Sequence, residues 1–350
     1  MRDVHRGQPP PSLPAAGRRG GARLTAVAIV AAVAIDLPSG LAPRGPAGDA
    51  LVSLWWAMFW LAAAIFIGVC VLLAVSLVRR RDRPLEGDGL AGERYLGGGN
   101  LLILGGGVVL PVIVVLVLTV LMVTTGRDVR ALAGDADPLV VEVTGHQFWW
   151  DVRLPESGVR TANEIPMPVG RTIEVHVTSA DVIHSFWVPQ LGPKIDLTPG
   201  ERNVLRLQAD EPGVYRGMCT EFCGIQHALM HVIVVAMPAD EFDAWVAARV
   251  EPPAPPTDAL VEQGQGVFQT AQCAVCHTVS GVSPDTDLGP DLTHFGGRLT
   301  LGAGARPNER SHLVEWIRDP HTVKQGNHMP ASRLSDDDLR ALVAYLESLE

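Results

Sequence analysis

Charge is scarce in this 350-residue chain: Asp, Glu, Lys and Arg make up 19% of it, against 47% apolar residues. In two stretches charge is missing altogether. Leu51–Val78 runs for 28 residues and Leu96–Gly126 for 31 with neither a charged side chain nor a histidine. Each exceeds the roughly 20 residues needed to cross a hydrocarbon core, and the mean hydropathy of +0.20 agrees, which excludes a purely cytosolic protein. The 224 residues from Arg127 onward read as water-soluble, which excludes a many-span transporter. Spans without ionisable groups are anchors or packing surfaces, so any intramembrane chemistry belongs to a partner. A basic patch is absent too. Lys and Arg number 28 against 38 acidic residues, a net charge of −10, which argues against a nucleic-acid partner and suits a basic protein better. Cysteine is equally sparse. Of five, Cys70 sits alone in an apolar run as an inert small residue, while Cys219/Cys223 and Cys273/Cys276 form close pairs, each soon followed by a histidine. Pairs of that kind suggest ligands rather than a disulfide framework.

At the N-terminus, residues 18–23 are basic and Leu24–Ile35 is a 12-residue apolar run. That run is too short to span and has the size of a signal-peptide core, with a third membrane helix as the alternative. Leu41–Asp49, rich in Pro and Gly, reads as a linker. Trp55, Trp56 and Trp60 suit an interfacial anchor. Five arginines (Arg79, Arg80, Arg81, Arg83, Arg94) separate the spans, whereas the flank just before the first has one, Arg44, and the stretch just after the second has two. The positive-inside rule therefore puts the connecting loop in the cytoplasm and everything from Arg127 outside. The expected organisation is a signal peptide and linker over 1–45, a transmembrane hairpin over 46–130, a β domain over 131–250, a Pro-rich linker over 251–257 and a helical domain over 258–350.

Leu139–Thr144, Thr172–Thr178, Val204–Gln208 and Val232–Ala236 are β-branched runs between Pro/Gly turns, a pattern that predicts a sandwich. Within it lies Cys219-Thr-Glu-Phe-Cys223-Gly-Ile-Gln-His227-Ala-Leu-Met230, with His184 35 residues upstream of Cys219. Two thiolates, imidazole and thioether make a copper ligand set. A mononuclear blue-copper centre uses one Cys, so one sulfur would be surplus; two thiolates can instead bridge two coppers. Zinc on Cys₂His₂ and a Cys219–Cys223 disulfide stay open as alternatives. His146, His176 and His231 lack ligand spacing and read as packing or surface residues.

At these residues the chain resembles subunit II of cytochrome c oxidase, with its binuclear CuA centre on a cupredoxin-like fold. The resemblance implies His184, Cys219, Glu221 through its main-chain carbonyl, Cys223, His227 and Met230 as copper ligands. It also implies that Lys194 and Asp196 face subunit I, and that the Glu221 carboxylate helps hold a magnesium at that interface. Phe148, Trp149 and Trp150 resemble the family's electron-receiving aromatic patch, with Phe148 standing where the family's tryptophan is usual. The glutamate that many relatives carry at a proton entrance is missing, Leu104 lying near that place.

Glu251-Pro-Pro-Ala-Pro-Pro-Thr257 then leads to Cys273-Ala-Val-Cys276-His277, the C-x-x-C-H pattern of covalent haem c with His277 on the iron. Met329, the only methionine after Met237, is the expected sixth ligand, with His294, His312, His321 and His328 as alternatives. Gly289-Pro290 resembles the segment that supports the proximal histidine in class I cytochromes c. Ser335 and Asp338 form a capping box ahead of Leu339, Leu342, Val343, Leu346 and Leu349 at helical spacing.

The sequence thus predicts a multidomain membrane protein: a two-helix transmembrane hairpin, an all-β cupredoxin-like sandwich and an all-α class I cytochrome c domain on a mobile linker. The resemblance implies an electron-transfer subunit of a haem–copper oxidase in a bacterial plasma membrane, multi-pass, with both soluble domains extracytoplasmic. Its implied cofactors are two coppers, one haem c and a magnesium shared with subunit I. Its implied partners are subunit I, other oxidase subunits and an upstream cytochrome or cytochrome bc complex. The O₂-reducing site would not lie on this chain. A CuA-containing nitric oxide reductase subunit and a non-catalytic copper-binding protein are the alternatives.

Overall fold

The computed structural model describes residues 40–81, 103–131 and 137–350. The basic stretch and Leu24–Ile35, with the signal-peptide reading they carry, lie outside the described residues, as do Arg83 and Arg94. Two apolar helices come first. Helix α1 spans Pro46–Arg81, and α2 spans Leu110–Ala131 behind a π-helical turn at Gly105–Val109. Their side chains face outward, with Phe66 69% and Met122 70% exposed, as lipid-facing residues would be. The stretch read as a linker before α1 is not free. Arg44 donates its N–H to the Gln190 carbonyl at 2.8 Å and accepts from the Asp210 N–H at 2.9 Å. A Cβ on Gly45 would lie 2.0 Å from the Gln208 carbonyl oxygen, so only glycine permits this contact. Helix α1 therefore starts against the β domain.

Ten strands follow: β1 (Leu139–His146), β2 (Trp149–Leu154), β3 (Val159–Ala162), β4 (Glu164–Pro168), β5 (Ile173–Ser179), β6 (His184–Trp187), β7 (Ile195–Leu197), β8 (Asn203–Leu207), β9 (Gly213–Cys219) and β10 (His231–Met237). They form two five-stranded sheets, β3-β2-β1-β5-β8 and β4-β10-β9-β6-β7. Val141, Val143, Trp150, Val175, Val177, Phe186, Leu197, Val232 and Val234 fill the space between the sheets. Strict alternation of buried and half-buried positions along β1 and β5 makes these strands readable from sequence. The short β6 and β7, and β4, buried at every position, have no such period.

Helix α3 (Ala239–Val250) closes the sandwich. Beyond residues 251–257, α4 (Ala259–Thr270) is capped by Asp258 and α8 (Asp336–Ser348) by Ser335, which accepts the Asp338 N–H at 3.1 Å. These helices cross where Gly264 meets the Ala341 carbonyl; a Cβ there would approach to 2.0 Å. Between them lie α5 (Cys273–Cys276), a two-stranded ribbon of β11 (Thr300–Leu301) and β12 (Arg306–Pro307), α6 (Arg310–Arg318) and α7 (Pro320–Val323). Phe268, Leu339, Leu342, Val343, Tyr345 and Leu346 form this domain's core.

The helical domain is docked on the sandwich. Arg160, its side chain 11% exposed, bonds Asp151 on its own sheet and Asp285 and Asp287 on the helical domain. Buried Glu164 accepts the N–H groups of Leu299 and Thr300, both at 2.9 Å. His231 donates its N–H to the Ala303 carbonyl, and both ring nitrogens of His294 contact carbonyls, those of Arg249 and Glu350.

Candidate metal and haem centres

The end of β9 presents Cys219, the first residue of β6 presents His184, and the loop back to β10 carries Cys223, His227 and Met230. The Cys219 N–H bonds the Met230 carbonyl at 2.9 Å, closing the loop on itself. Both thiols are free and buried, with Sγ atoms 3.8 Å apart. A disulfide needs about 2.05 Å, so the pair is not bridged. Two donors on one metal at about 2.3 Å and a tetrahedral angle stand about 3.8 Å apart, which is this spacing. The other donors repeat it: His184 Nδ1 to Cys219 Sγ, Cys223 Sγ to His227 Nδ1 and Cys223 Sγ to Met230 Sδ are each 3.9 Å, and the Cys219 thiol points at the Glu221 carbonyl at 3.3 Å.

The donors lie in a row, with the sulfurs in the middle and an imidazole at each end. His184, Cys219 and Cys223 have ligand atoms within 4.8 Å of one another, and His227 stands outside that set. One tetrahedral ion cannot collect all four, which disfavours Cys₂His₂ zinc; a row of this kind fits two ions sharing the sulfurs. The sulfurs are also electrostatically split. The Cys223 thiol and His184 pull the Cys219 pKa well below the ordinary thiol value, and the thiolate so formed pushes that of Cys223 up.

Asp181 is the residue sequence reasoning missed. Its Oδ1 lies 2.8 Å from His184 Nε2, fixing the buried ring so that Nδ1 faces the sulfurs. Burial alone would raise the Asp181 pKa, but bonds from His184, Val182 N–H and Gln147 N–H hold it below the usual carboxylate range. For His184, burial works downward while Cys219 and Asp181 more than offset it, so its pKa stands above the ordinary histidine value. An acid three residues before a histidine was the only signal in the sequence.

In the helical domain, Cys273 and Cys276 open and close the single turn α5, both thiols free. His277 Nδ1 donates to the Pro290 carbonyl at 2.8 Å, leaving Nε2 for an iron. Desolvation lowers its pKa, which keeps the ring neutral, as a ligand must be. A Cβ on Gly289 would lie 2.9 Å from His277 Cε1, so this Gly-Pro pair packs directly on the ring. Two thiols and an oriented imidazole fit a covalent haem. Met329 is half-buried, its N–H bound to Asn327 Oδ1. Among its rivals, His294 has both nitrogens engaged, and His312 contacts the Pro307 carbonyl through Nδ1. His321 and His328 are exposed.

The aromatic patch is covered by the helical domain. Trp149 packs with Ala303 and stacks on His146, ring centroids 4.3 Å apart. Trp150 is fully buried against Phe186. Phe148, 8% exposed, lies 5.6 Å from the His328 ring and touches Gly224 in the loop between Cys223 and His227. Buried Lys324 reaches the Phe148 carbonyl at 3.4 Å, and burial lowers its pKa to about 8. The remaining histidines are structural: His176 bonds Glu174, and burial together with Arg216 and Lys324 drives His231 down to about 4. Lys194, Asp196 and the Glu221 side chain are exposed, and Leu104, just before the π-helical turn that leads into α2, is 59% exposed.

Residues 151–237 match the family described as cytochrome c oxidase subunit II, periplasmic domain, and residues 261–350 match cytochrome c. The chain is 44% identical to cytochrome c oxidase subunit 2 of Alkalihalophilus pseudofirmus over 223 residues, 62% of this chain and 64% of that protein. It is 33% identical to cytochrome c oxidase subunit 2 of Bacillus sp. strain PS3 over 247 residues, 66% of this chain and 69% of that protein. Among solved structures, the periplasmic domain of subunit II of cytochrome oxidase of Bradyrhizobium japonicum is 33% identical, with a TM-score of 0.31, covering 32% of this chain and 92% of that one.

Proposed function

The chain belongs to the cytochrome c oxidase subunit 2 family, and from that premise we propose that it carries electrons from a haem c to a dicopper centre and on to a membrane partner that reduces O₂. The observation that carries this reading is the row His184–Cys219–Cys223–His227 with its repeated spacing of about 3.8–3.9 Å, which supports a pair of ions as the occupant of the four donors. His184, Cys219, the Glu221 carbonyl, Cys223, His227 and Met230 would hold the coppers; Cys273 and Cys276 would hold the haem covalently, with His277 and Met329 on its iron. Bound there, these groups supply one-electron redox chemistry.

The chain's own residues do the arranging. Asp181 holds the His184 ring, the Pro290 carbonyl holds the His277 ring, and the sandwich closes round both sulfurs to keep out water. Phe148 and its neighbours form the aromatic bridge between the centres, and exposed Lys194, Asp196 and Glu221 face subunit I, Glu221 lending its carboxylate to an interfacial magnesium. The apolar helices anchor the protein in a bacterial plasma membrane with both soluble domains outside. The donor would be an upstream cytochrome or a cytochrome bc complex. The named relatives favour O₂ over NO as the final acceptor.

The test is Cys219→Ser with Cys223→Ser in the assembled complex. Metal analysis should fall from two coppers to none while the covalent haem stays. A reductant pulse should then reduce haem c and go no further, with O₂ uptake stopped. Normal reduction of the partner would show that the copper site is bypassed.

A further inference from the structure

The loop between Cys223 and His227 makes a contact that ligand geometry does not require. Gln226 is 1% exposed, and its side-chain amide donates to two successive carbonyls of the helical domain, those of Lys324 and Gln325, each at 3.0 Å. These carbonyls belong to the segment that leads to Met329. Beside them Gly326, at φ +80°, sits so close that a Cβ would lie 2.6 Å from Ile225 Cγ2. Lys324 returns across the same junction to the Phe148 carbonyl, while a second bond to the Gly302 carbonyl ties it to its own domain. One amide nitrogen with two hydrogens faces two main-chain oxygens, so the buried Gln226 amide nitrogen is paired in full and the buried Lys324 carbonyl has its donor.

We infer that Gln226 is the clasp that holds the Met329-bearing loop on the copper-ligand loop, and so is a positioning residue for electron transfer between the two centres. This rests on the function proposed above. Its chemistry defines the replacements: Gln226→Glu keeps the length but turns an acceptor toward two carbonyls, whereas Gln226→Lys still offers donors to both.

In the intact complex, hydrogen–deuterium exchange of residues 320–329 should rise about tenfold or more in Gln226→Glu, the loss expected of a buried hydrogen-bonded pair. The rate from haem c to copper after a reductant pulse should fall at least about tenfold, because small misplacements of a positioned pair are costly. The copper absorption spectrum should be unchanged, and Gln226→Lys should recover most of both effects. Unchanged exchange overturns the clasp. Raised exchange with an unchanged rate overturns its positioning role. Should the Glu variant lose copper, the exchange comparison is made on the Cys219→Ser/Cys223→Ser background, where the same rise supports the clasp and its absence refutes it. Failure of any haem-to-copper transfer in the parent protein would strike the functional reading and leave the exchange result standing.

Discussion

Glu164 is a buried contact by which the helical domain is docked. One carboxylate oxygen accepts from the Leu299 N–H at 2.9 Å, the Thr300 N–H at 2.9 Å and the Thr300 hydroxyl at 3.2 Å. Glu164→Ala removes the one oxygen that accepts all three bonds and leaves two half-buried amides unpaired. At about 1 kcal/mol per bond, the loss is about 3 kcal/mol, or roughly a hundredfold in local opening. Exchange of the Leu299 and Thr300 amides, read by mass spectrometry on the intact complex, should accelerate by that factor. Glu164→Gln keeps an oxygen acceptor and should lose far less. The pH response separates charge from geometry. Burial raises the Glu164 pKa above its ordinary 4.5, more than Arg298 and the three donors lower it. The docked form therefore holds its proton more tightly than the free form, so docking is strongest below the ordinary value, weakens as pH rises toward the raised one and levels off above it. Glu164→Gln should flatten that dependence. Equal exchange in Glu164→Ala and parent would refute the reasoning.

Asp181→Asn should keep the fold but loosen His184, lowering copper retention against a chelator by roughly 10-fold or more; equal retention would free Asp181 of any orienting role. Met329→His should leave the haem attached and lower its potential, since imidazole is a stronger donor than thioether; an unchanged potential in a redox titration would point to another ligand. The sequence suggests that Phe148→Ala matters little once the donor is fused to the chain. Because Phe148 is covered by the helical domain, Phe148→Leu, which keeps most of the volume, should slow haem-to-copper transfer several-fold, measured by the reductant pulse with intact spectra; an unchanged rate would support the modest effect that the sequence suggests.

Much of the copper site was legible because its ligands cluster within twelve residues and only His184 comes from afar, and even that histidine has a recognisable setting. The haem motif is shorter still. What could not be read is what joins the two. Gln226 bonds main-chain oxygens 98 and 99 positions away, and main-chain oxygens carry no residue identity. Glu164 likewise meets backbone N–H groups, and nothing in Glu-Ile-Pro-Met marks it as buried. The same blindness hid the contacts of Arg44 and Gly45, which made a pinned junction resemble a flexible linker. Strands with alternating burial were readable; β4, buried throughout, was not.

The seven residues 251–257 have a further consequence as a tether. In a polyproline-like form they reach only about 22 Å, so the helical domain can never leave the neighbourhood of the copper loop. A freely diffusing donor must be captured afresh at each turnover, at a frequency set by its abundance and by salt. A tethered one stands at a local concentration of about millimolar or above, whatever the dilution outside. The inner transfer thus becomes independent of supply. Saturation, ionic-strength dependence and competition between donors should all belong to the outer encounter, where reductant meets the haem-bearing domain.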